Sequence, residues 1–263
     1  MVKMEPVIET RGLTKRFGRL TAVDHIDLSV LGGEIFGFLG PNGAGKTTVM
    51  RMLTTLSEPS EGKATVKGYD IVTQAEWVRR IVGLVAEKII LYPRLNAVEN
   101  LSFFGGLYGL KGEQLRDRVD ELLEMVRLER FKDMPVGGYS SGMRQRLNIV
   151  RGLLHDPDII FMDEPTALLD PQSVSFVRDL IKELNQEGKT IVLTTHIMDE
   201  ADRLSDRVGI IDNGKIVAVD TPENLKRTSG AETLEDVFLQ LTGRALRDSA
   251  TNRVPVRLVI GRV

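Results

Sequence analysis

The stretch Phe36-Gly37-Phe38-Leu39-Gly40-Pro41-Asn42-Gly43-Ala44-Gly45-Lys46-Thr47-Thr48 passes from an apolar run through glycines to a lysine and two threonines. Gly40 to Thr47 fits G-x-x-x-x-G-K-[ST] in full. Glycines let backbone amides turn inward and cradle phosphate oxygens. A helix that starts here aims its free amides and partial positive charge at the same anion. Lys46 then reaches the β and γ phosphates, and the Thr47 hydroxyl ligates Mg2+. A glycine turn with a chance Lys-Thr would not need an apolar strand before it and a helix after it. Phosphate binding alone leaves kinases, GTPases, helicases and transport ATPases open. The Asn/Thr-Lys-x-Asp guanine motif expected of a GTPase is absent.

Two further segments carry chemistry. Ile159-Ile160-Phe161-Met162-Asp163-Glu164 is an apolar strand ending in two acids. Asp163 at the strand end is suited to hold Mg2+ through water beside a phosphate loop. Glu164 is suited to take a proton from an attacking water. The segment Tyr139-Ser140-Ser141-Gly142-Met143-Arg144-Gln145-Arg146 places small polar residues and a glycine at the start of a helix, a second anion site. Both anion sites serve one nucleotide only if they converge, within one chain or between two.

These residues need positioning elements, and the pattern predicts them. Val7-Ile8, Leu13 and Ile26 to Val30 read as short strands, with a turn at Leu31-Gly32-Gly33. Glu34–Leu39 reads as a buried strand, Lys46–Leu56 as a helix and Thr65–Gly68 as a strand. Residues 95–131 read as helical, and the helices break near Asp133 to Gly138. Beyond residue 140 helix and strand alternate: Met143 to Leu154 helical, Ile159–Met162 a strand, Ser173–Gln186 a helix, Thr190–Thr194 a strand. Val208–Ile211 and Ile216–Val219, with Asn213-Gly214 between them, read as a hairpin. Trp77 reads as a half-buried packing residue, His25 and His155 as lone histidines without metal roles, and Arg116 to Arg130 as a solvated helix face.

Composition limits the partners. The 263 residues are 27% charged, with a formal net charge of −2. No global basic field favours nucleic acid or an anionic membrane. There are no cysteines, which removes disulfides and thiolate chemistry. The N-terminal residues lack a signal-like apolar core, and no stretch approaches the roughly 18 to 20 apolar residues of a membrane span. Any work at a membrane is then expected from the aqueous side.

Taken in order, the motifs resemble those of the ATP-binding subunit of an ABC transporter, over about residues 5 to 225. That family's signature is Leu-Ser-Gly-Gly-Gln; here Tyr139-Ser140-Ser141-Gly142-Met143 keeps the first serine and second glycine. Phe17 matches the aromatic that stacks on adenine. Leu168-Leu169-Asp170-Pro171 resembles the D-loop, with Leu168 for a common glycine. His196, in Leu193-Thr194-Thr195-His196, matches the switch histidine. The resemblance implies an α/β fold: a P-loop NTPase core, an antiparallel β subdomain and an α-helical subdomain near 95–140. It implies ATP and Mg2+, with Gly43, Gly45, Lys46, Thr47 and Thr48 on the phosphates and metal, Glu164 as base, and His196 sensing the γ-phosphate. It also implies head-to-tail dimerisation with a second ATPase subunit, homo- or heteromeric. A membrane-spanning permease would hold the assembly at the cytoplasmic face of the plasma membrane.

Two departures stand out. Where the family has a glutamine serving Mg2+ and the attacking water, this chain has Glu87, followed by Lys88. A carboxylate can bind Mg2+, yet it adds negative charge near a triphosphate. The following Leu91, Tyr92 and Pro93 match the region that receives a permease helix in that family. The tail, residues 226–263, contains Thr233 to Arg244, similar to the end of ATPases in the daunorubicin-resistance exporter branch. It reads as an amphipathic helix with Leu234, Val237, Phe238 and Leu241 on one face. Val254 to Ile260 reads as a strand or a loose end. A soluble ABC ATPase acting on ribosomes or DNA is the rival; it would usually bring a second nucleotide domain, a coiled coil or zinc cysteines. A nucleotide sensor without turnover is a second rival, opposed by Glu164 and His196.

Lys46→Ala is expected to weaken ATP binding and cut hydrolysis about 100-fold or more, the scale of losing one preorganised charge at a reacting phosphate. Near wild-type turnover of the purified variant would overturn the phosphate-loop reading.

Overall fold

A computed structural model describes residues 5–243; the segment Val254–Ile260 lies outside them. The chain opens with two antiparallel strands of 12 residues each, β1 (Pro6–Phe17) and β2 (Leu20–Leu31). The sequence suggested shorter pieces here. Register shifts near Pro6, between Thr10 and Leu13 and again before Arg16 break the strict alternation that would have revealed the full length.

Next come β3 (Ile35–Leu39), buried throughout, and α1 (Lys46–Leu53). That helix stops short of the expected Leu56, because Thr55 turns left-handed at φ 63° and the Thr54 hydroxyl bonds back to the Met50 carbonyl at 2.8 Å. Strands β4 (Glu61–Val66) and β5 (Tyr69–Asp70) complete a four-stranded sheet ordered β2-β1-β4-β5. Helix α2 (Ala75–Ile81) and strand β6 (Val82–Val85) follow, neither of which the pattern predicted. Trp77 on α2 is half-buried, 51% exposed; one ring face stacks on Tyr69 and Arg80 lies 4.8 Å from its ring centre.

The helical region resolves into α3 (Ala97–Leu107) and α4 (Gly112–Met125). Asn96 and Glu99 form a reciprocal cap at the start of α3. Short 3-10 turns at Glu129–Phe131 and Val136–Gly138 then lead to α5 (Ser141–Arg151). The chain returns to the centre as β7 (Ile159–Asp163), α6 (Pro171–Gln186), β8 (Thr190–Thr195) and α7 (Met198–Leu204). The described residues end with the hairpin of β9 (Arg207–Asp212) and β10 (Lys215–Asp220), then α8 (Pro222–Ser229) and α9 (Leu234–Thr242).

The six-stranded sheet runs β10-β9-β3-β8-β7-β6 and is parallel except at β10. Both faces are covered, so its strands are apolar on both sides. Phe36, Phe38, Phe161 and Val192 face α1 and the antiparallel sheet. Ile160, Met162, Ile191 and Leu193 face the helical region and α6. Leu234, Val237 and Phe238 of α9 pack with Leu39, Val208 and Ile210, whereas Leu241 is exposed, one turn beyond the buried stripe.

His155 ties the helical region to the sheet. Its ring stacks on Tyr108 with centroids 3.9 Å apart, and its Nε2 lies 2.9 Å from the Val82 carbonyl. Burial, opposed by that carbonyl, pushes the imidazole below its ordinary value of 6.5. The unfolded chain therefore takes up a proton first as pH falls through that value, and stability falls with it. A thermal melt at about pH 7.5 and about pH 5.5 should show this loss, and His155→Gln should reduce it. Equal pH slopes in both proteins would overturn the assignment.

Candidate functional site

The phosphate loop joins the C-terminal end of β3 to the start of α1. Gly45 sits at φ 110°, and a Cβ there would lie 2.6 Å from the Ala22 carbonyl oxygen. A Cβ on Gly40 would lie 2.2 Å from that of Ile211. Glycine is therefore a steric requirement at both ends of the loop. Behind it, the Gly214 amide donates to the Ala44 carbonyl at 2.9 Å, and the Asp24 amide donates to the Gly214 carbonyl at 2.8 Å. The β9–β10 turn thus braces the loop from the rear.

Lys46 is the first residue of α1, and its side chain is almost fully buried. Its Nζ donates to the Gly40 carbonyl at 2.7 Å and the Pro41 carbonyl at 3.3 Å, and pairs with Glu164 Oε1 at 3.2 Å. The other carboxylate oxygen of Glu164 lies 2.8 Å from His196 Nδ1. Lysine, glutamate and histidine from three separate segments form one chain of contacts. Glu164 adopts φ 49°, a left-handed backbone that is uncommon for a non-glycine residue. Its amide donates to Thr194 Oγ1 at 3.0 Å and to the Thr194 carbonyl at 3.2 Å.

One residue earlier, Asp163 Oδ1 accepts from Thr194 Oγ1 at 2.6 Å and from Thr47 Oγ1 at 3.1 Å. A hydroxyl and a carboxylate this close at a helix start are hard oxygen donors. They fit Mg2+, which takes one or two carboxylates and completes its shell with phosphate and water. Among the described residues no group of three or more His, Cys, Asp or Glu converges as a self-sufficient metal cage, so such an ion would share its shell with a bound phosphate.

These groups open onto a cavity of about 420 Å³. Pro41, Asn42, Gly43, Gly45, Lys46, Thr47 and Thr48 line it along the loop; Glu87, Glu164 and His196 line it from other segments. Phe17, Leu20 and Ala22 form an apolar wall suited to a planar ring, with Phe17 half-exposed. Gly40 and Ala44, also in the loop, are buried and do not line the cavity, and Asp163 reaches the site through Thr47. Ser140, Ser141 and Gly142 do not line this cavity. The Ser140 hydroxyl caps α5 by accepting from the Met143 amide at 3.2 Å. Gly142 meets α6 so closely that a Cβ would lie 2.1 Å from Ser173 Oγ. Tyr139, at the family's leucine position, is buried and donates its hydroxyl to the Phe131 carbonyl at 2.7 Å. Leu168, at φ 61°, occupies backbone that the more common glycine would enter without strain.

The family model "ABC transporter" matches residues 23–167, more than half of the chain. The Nod factor export ATP-binding protein I of Ralstonia nicotianae is 44% identical over 84% of this chain and 68% of its own length. The daunorubicin/doxorubicin resistance ATP-binding protein DrrA of Streptomyces peucetius is 41% identical over 86% of this chain and 69% of its own. Among solved structures, a dimeric ATP-binding cassette in a post-hydrolysis state with ADP and Pi superposes with TM-score 0.74 at 29% identity, covering 81% of this chain and 98% of that one. This chain belongs to the ABC transporter family. As an ABC ATPase it binds and hydrolyses ATP.

In this ABC cassette the sequence motifs left several site residues unmarked. Leu20 and Ala22 join Phe17 only because β1 and β2 form a hairpin. Gly214 was legible as a turn but not as the brace of the phosphate loop. Thr194 binds both Asp163 and the Glu164 amide; its one sequence signal is its place two residues before His196. Thr194→Val keeps the shape and removes the hydroxyl. The variant should lose about 1–3 kcal/mol of stability, because a buried acceptor and donor lose a partner. That corresponds to a melting point lower by about 2–12 °C in a chain of this size. Mg·ATP hydrolysis should fall with it. An unchanged melting point and turnover would show that Thr194 does not organise the acid pair.

Proposed function

We propose that this cassette is the ATP-hydrolysing subunit of a membrane exporter, peripheral at the cytoplasmic face of the plasma membrane. It works as a dimer of ATPase subunits docked on a membrane-spanning permease. The observation that carries the reading is the contact chain Lys46–Glu164–His196 on the wall of the phosphate-loop cavity.

In this reading adenine stacks on Phe17, and the loop amides with Lys46, Thr47 and Thr48 hold the phosphates. Thr47, Asp163 and Glu87 are the residues that would hold Mg2+, which would polarise the phosphoryl oxygens. Glu164 takes a proton from the attacking water. The water oxygen bonds to the γ-phosphorus as the bond to the ADP oxygen breaks, and the electron pair leaves with ADP. His196 orients Glu164 and the γ-phosphate.

Ser140, Ser141 and Gly142 lie away from their own cavity, so the start of α5 serves the nucleotide held by a second subunit. Similarity to a dimeric cassette with ADP and Pi supports a dimer. The printed names of the relatives, Nod factor export and daunorubicin/doxorubicin resistance, support export. No helix among the described residues is long and apolar enough to cross a membrane, and the reading assigns the pore to the permease. Tyr92 and Phe103, each about half-exposed and in ring contact at 5.1 Å, offer that partner an aromatic edge. Leu91, beside them, is partly buried where it packs against the core. The soluble alternative acting on ribosomes or DNA has no observation in its favour.

Glu164→Gln keeps the shape of the site and removes the base. Hydrolysis should fall about 100- to 10,000-fold, the usual range for a lost general base. ATP should still bind, and size-exclusion chromatography with Mg·ATP should show a dimer that cannot discharge. Unchanged turnover would overturn the base; a monomer at saturating Mg·ATP would overturn the dimer.

A further inference from the structure

The charged wall of the cavity is out of balance. Lys46, Glu87 and Glu164 line it, one cation against two carboxylates, with His196 beside them. The cation is already engaged. Lys46 Nζ lies on two carbonyl oxygens and on Glu164 Oε1, and its side chain is 5% exposed. Glu164 Oε1 is buried and has no hydrogen-bond partner, so Lys46 is its counter-charge. A triphosphate that draws Lys46 to itself uncovers this carboxylate in the same movement. Glu87, itself solvent-exposed, lines the same cavity and adds a second negative charge. Lys88, the neighbouring cation, is exposed and does not line the cavity. The partial charge at the start of α1 is about half of one elementary charge and cannot offset two carboxylates and a polyanion.

We infer that this cavity admits ATP as its divalent-cation complex and turns away the metal-free nucleotide, with Glu87 setting that selectivity. The inference rests on the proposed ATP site. A divalent cation arriving with the phosphates carries the charge the wall lacks, and a nearby bound cation reverses the local electrostatics. Metal is then a condition of binding as well as of hydrolysis. A glutamine of equal length at position 87 would leave the wall neutral and let the bare nucleotide enter.

Binding of a non-hydrolysable ATP analogue, measured by calorimetry in excess Mg2+ and in excess EDTA, tests this without turnover. Wild-type affinity should be at least about tenfold higher with metal, and Glu87→Gln should shrink that ratio about three- to tenfold, the effect of one nearby unit charge at intermediate dielectric. The change should come from tighter metal-free binding. Glu87→Asp, which keeps the charge, should keep the preference. A wild-type ratio within about twofold, or a ratio untouched by Glu87→Gln, would overturn the inference and leave the ATP site standing. No binding by wild type even with Mg2+ would instead remove the ATP site itself.

Discussion

The chemistry of this cassette depends on one constraint, the parallel register of three buried strands. Phe38 of β3 pairs with Thr194 of β8, and Thr194 pairs with Asp163 of β7. Parallel strands end on the same side of a sheet, so three loops leave it together. One carries Lys46, one carries Glu164 and one carries His196. A slip of one residue between β7 and β8 would turn Thr194 to the other face and part it from Asp163. The register is held because both faces are packed: Phe38, Phe161 and Val192 bury on one side, Met162, Ile191 and Leu193 on the other.

That frame supports buried charge that would otherwise be costly. Lys46 and Glu164 have side chains 5% and 8% exposed, and a pair so buried is sustained by its mutual contact and its extra hydrogen bonds. Here the carbonyls of Gly40 and Pro41 and the ring of His196 supply those bonds. Nucleotide binding must exchange partners within this set rather than fill an empty hole. The glutamate is therefore sensitive to what occupies the loop, and the histidine is sensitive to the glutamate.

Helix α5 links the site to the surfaces around it. Gln145 donates to the Pro165 carbonyl at 2.7 Å, just beyond Glu164, and Asn148 donates to the Ala86 carbonyl at 3.2 Å, just before Glu87. Both side chains are buried. At the start of the same helix Gly142 abuts Ser173, whose hydroxyl and amide bind Asp170. Glu200 of α7, fully buried, accepts from Thr166 Oγ1 at 2.5 Å. The signature start, the loop after Glu164, the Glu87 segment and the helix after His196 are thus mechanically joined. A second subunit meeting α5 and a permease meeting the region near Tyr92 would both press on the same packed unit.

The sequence by itself determined the parts whose residues are neighbours along the chain. The phosphate loop was legible because strand, glycines, lysine and hydroxyl are consecutive and each has a local reason. Asp163 and Glu164 were legible as a strand end, and the β9–β10 hairpin as a turn between apolar runs. Bulges in β1 hid a regular period, and α2 and β6 were too short to leave one. Tertiary structure decided what distant segments do to one another. It engaged Lys46 with Glu164, put Thr194 across two acids, braced the loop with Gly214 and kept the signature away from its own cavity. Hydrophobic periodicity and backbone geometry act over a few residues, so they can be read in order. Hydrogen bonds and ion pairs between side chains depend on which strand ends meet, and only the closed, packed sheet fixes that.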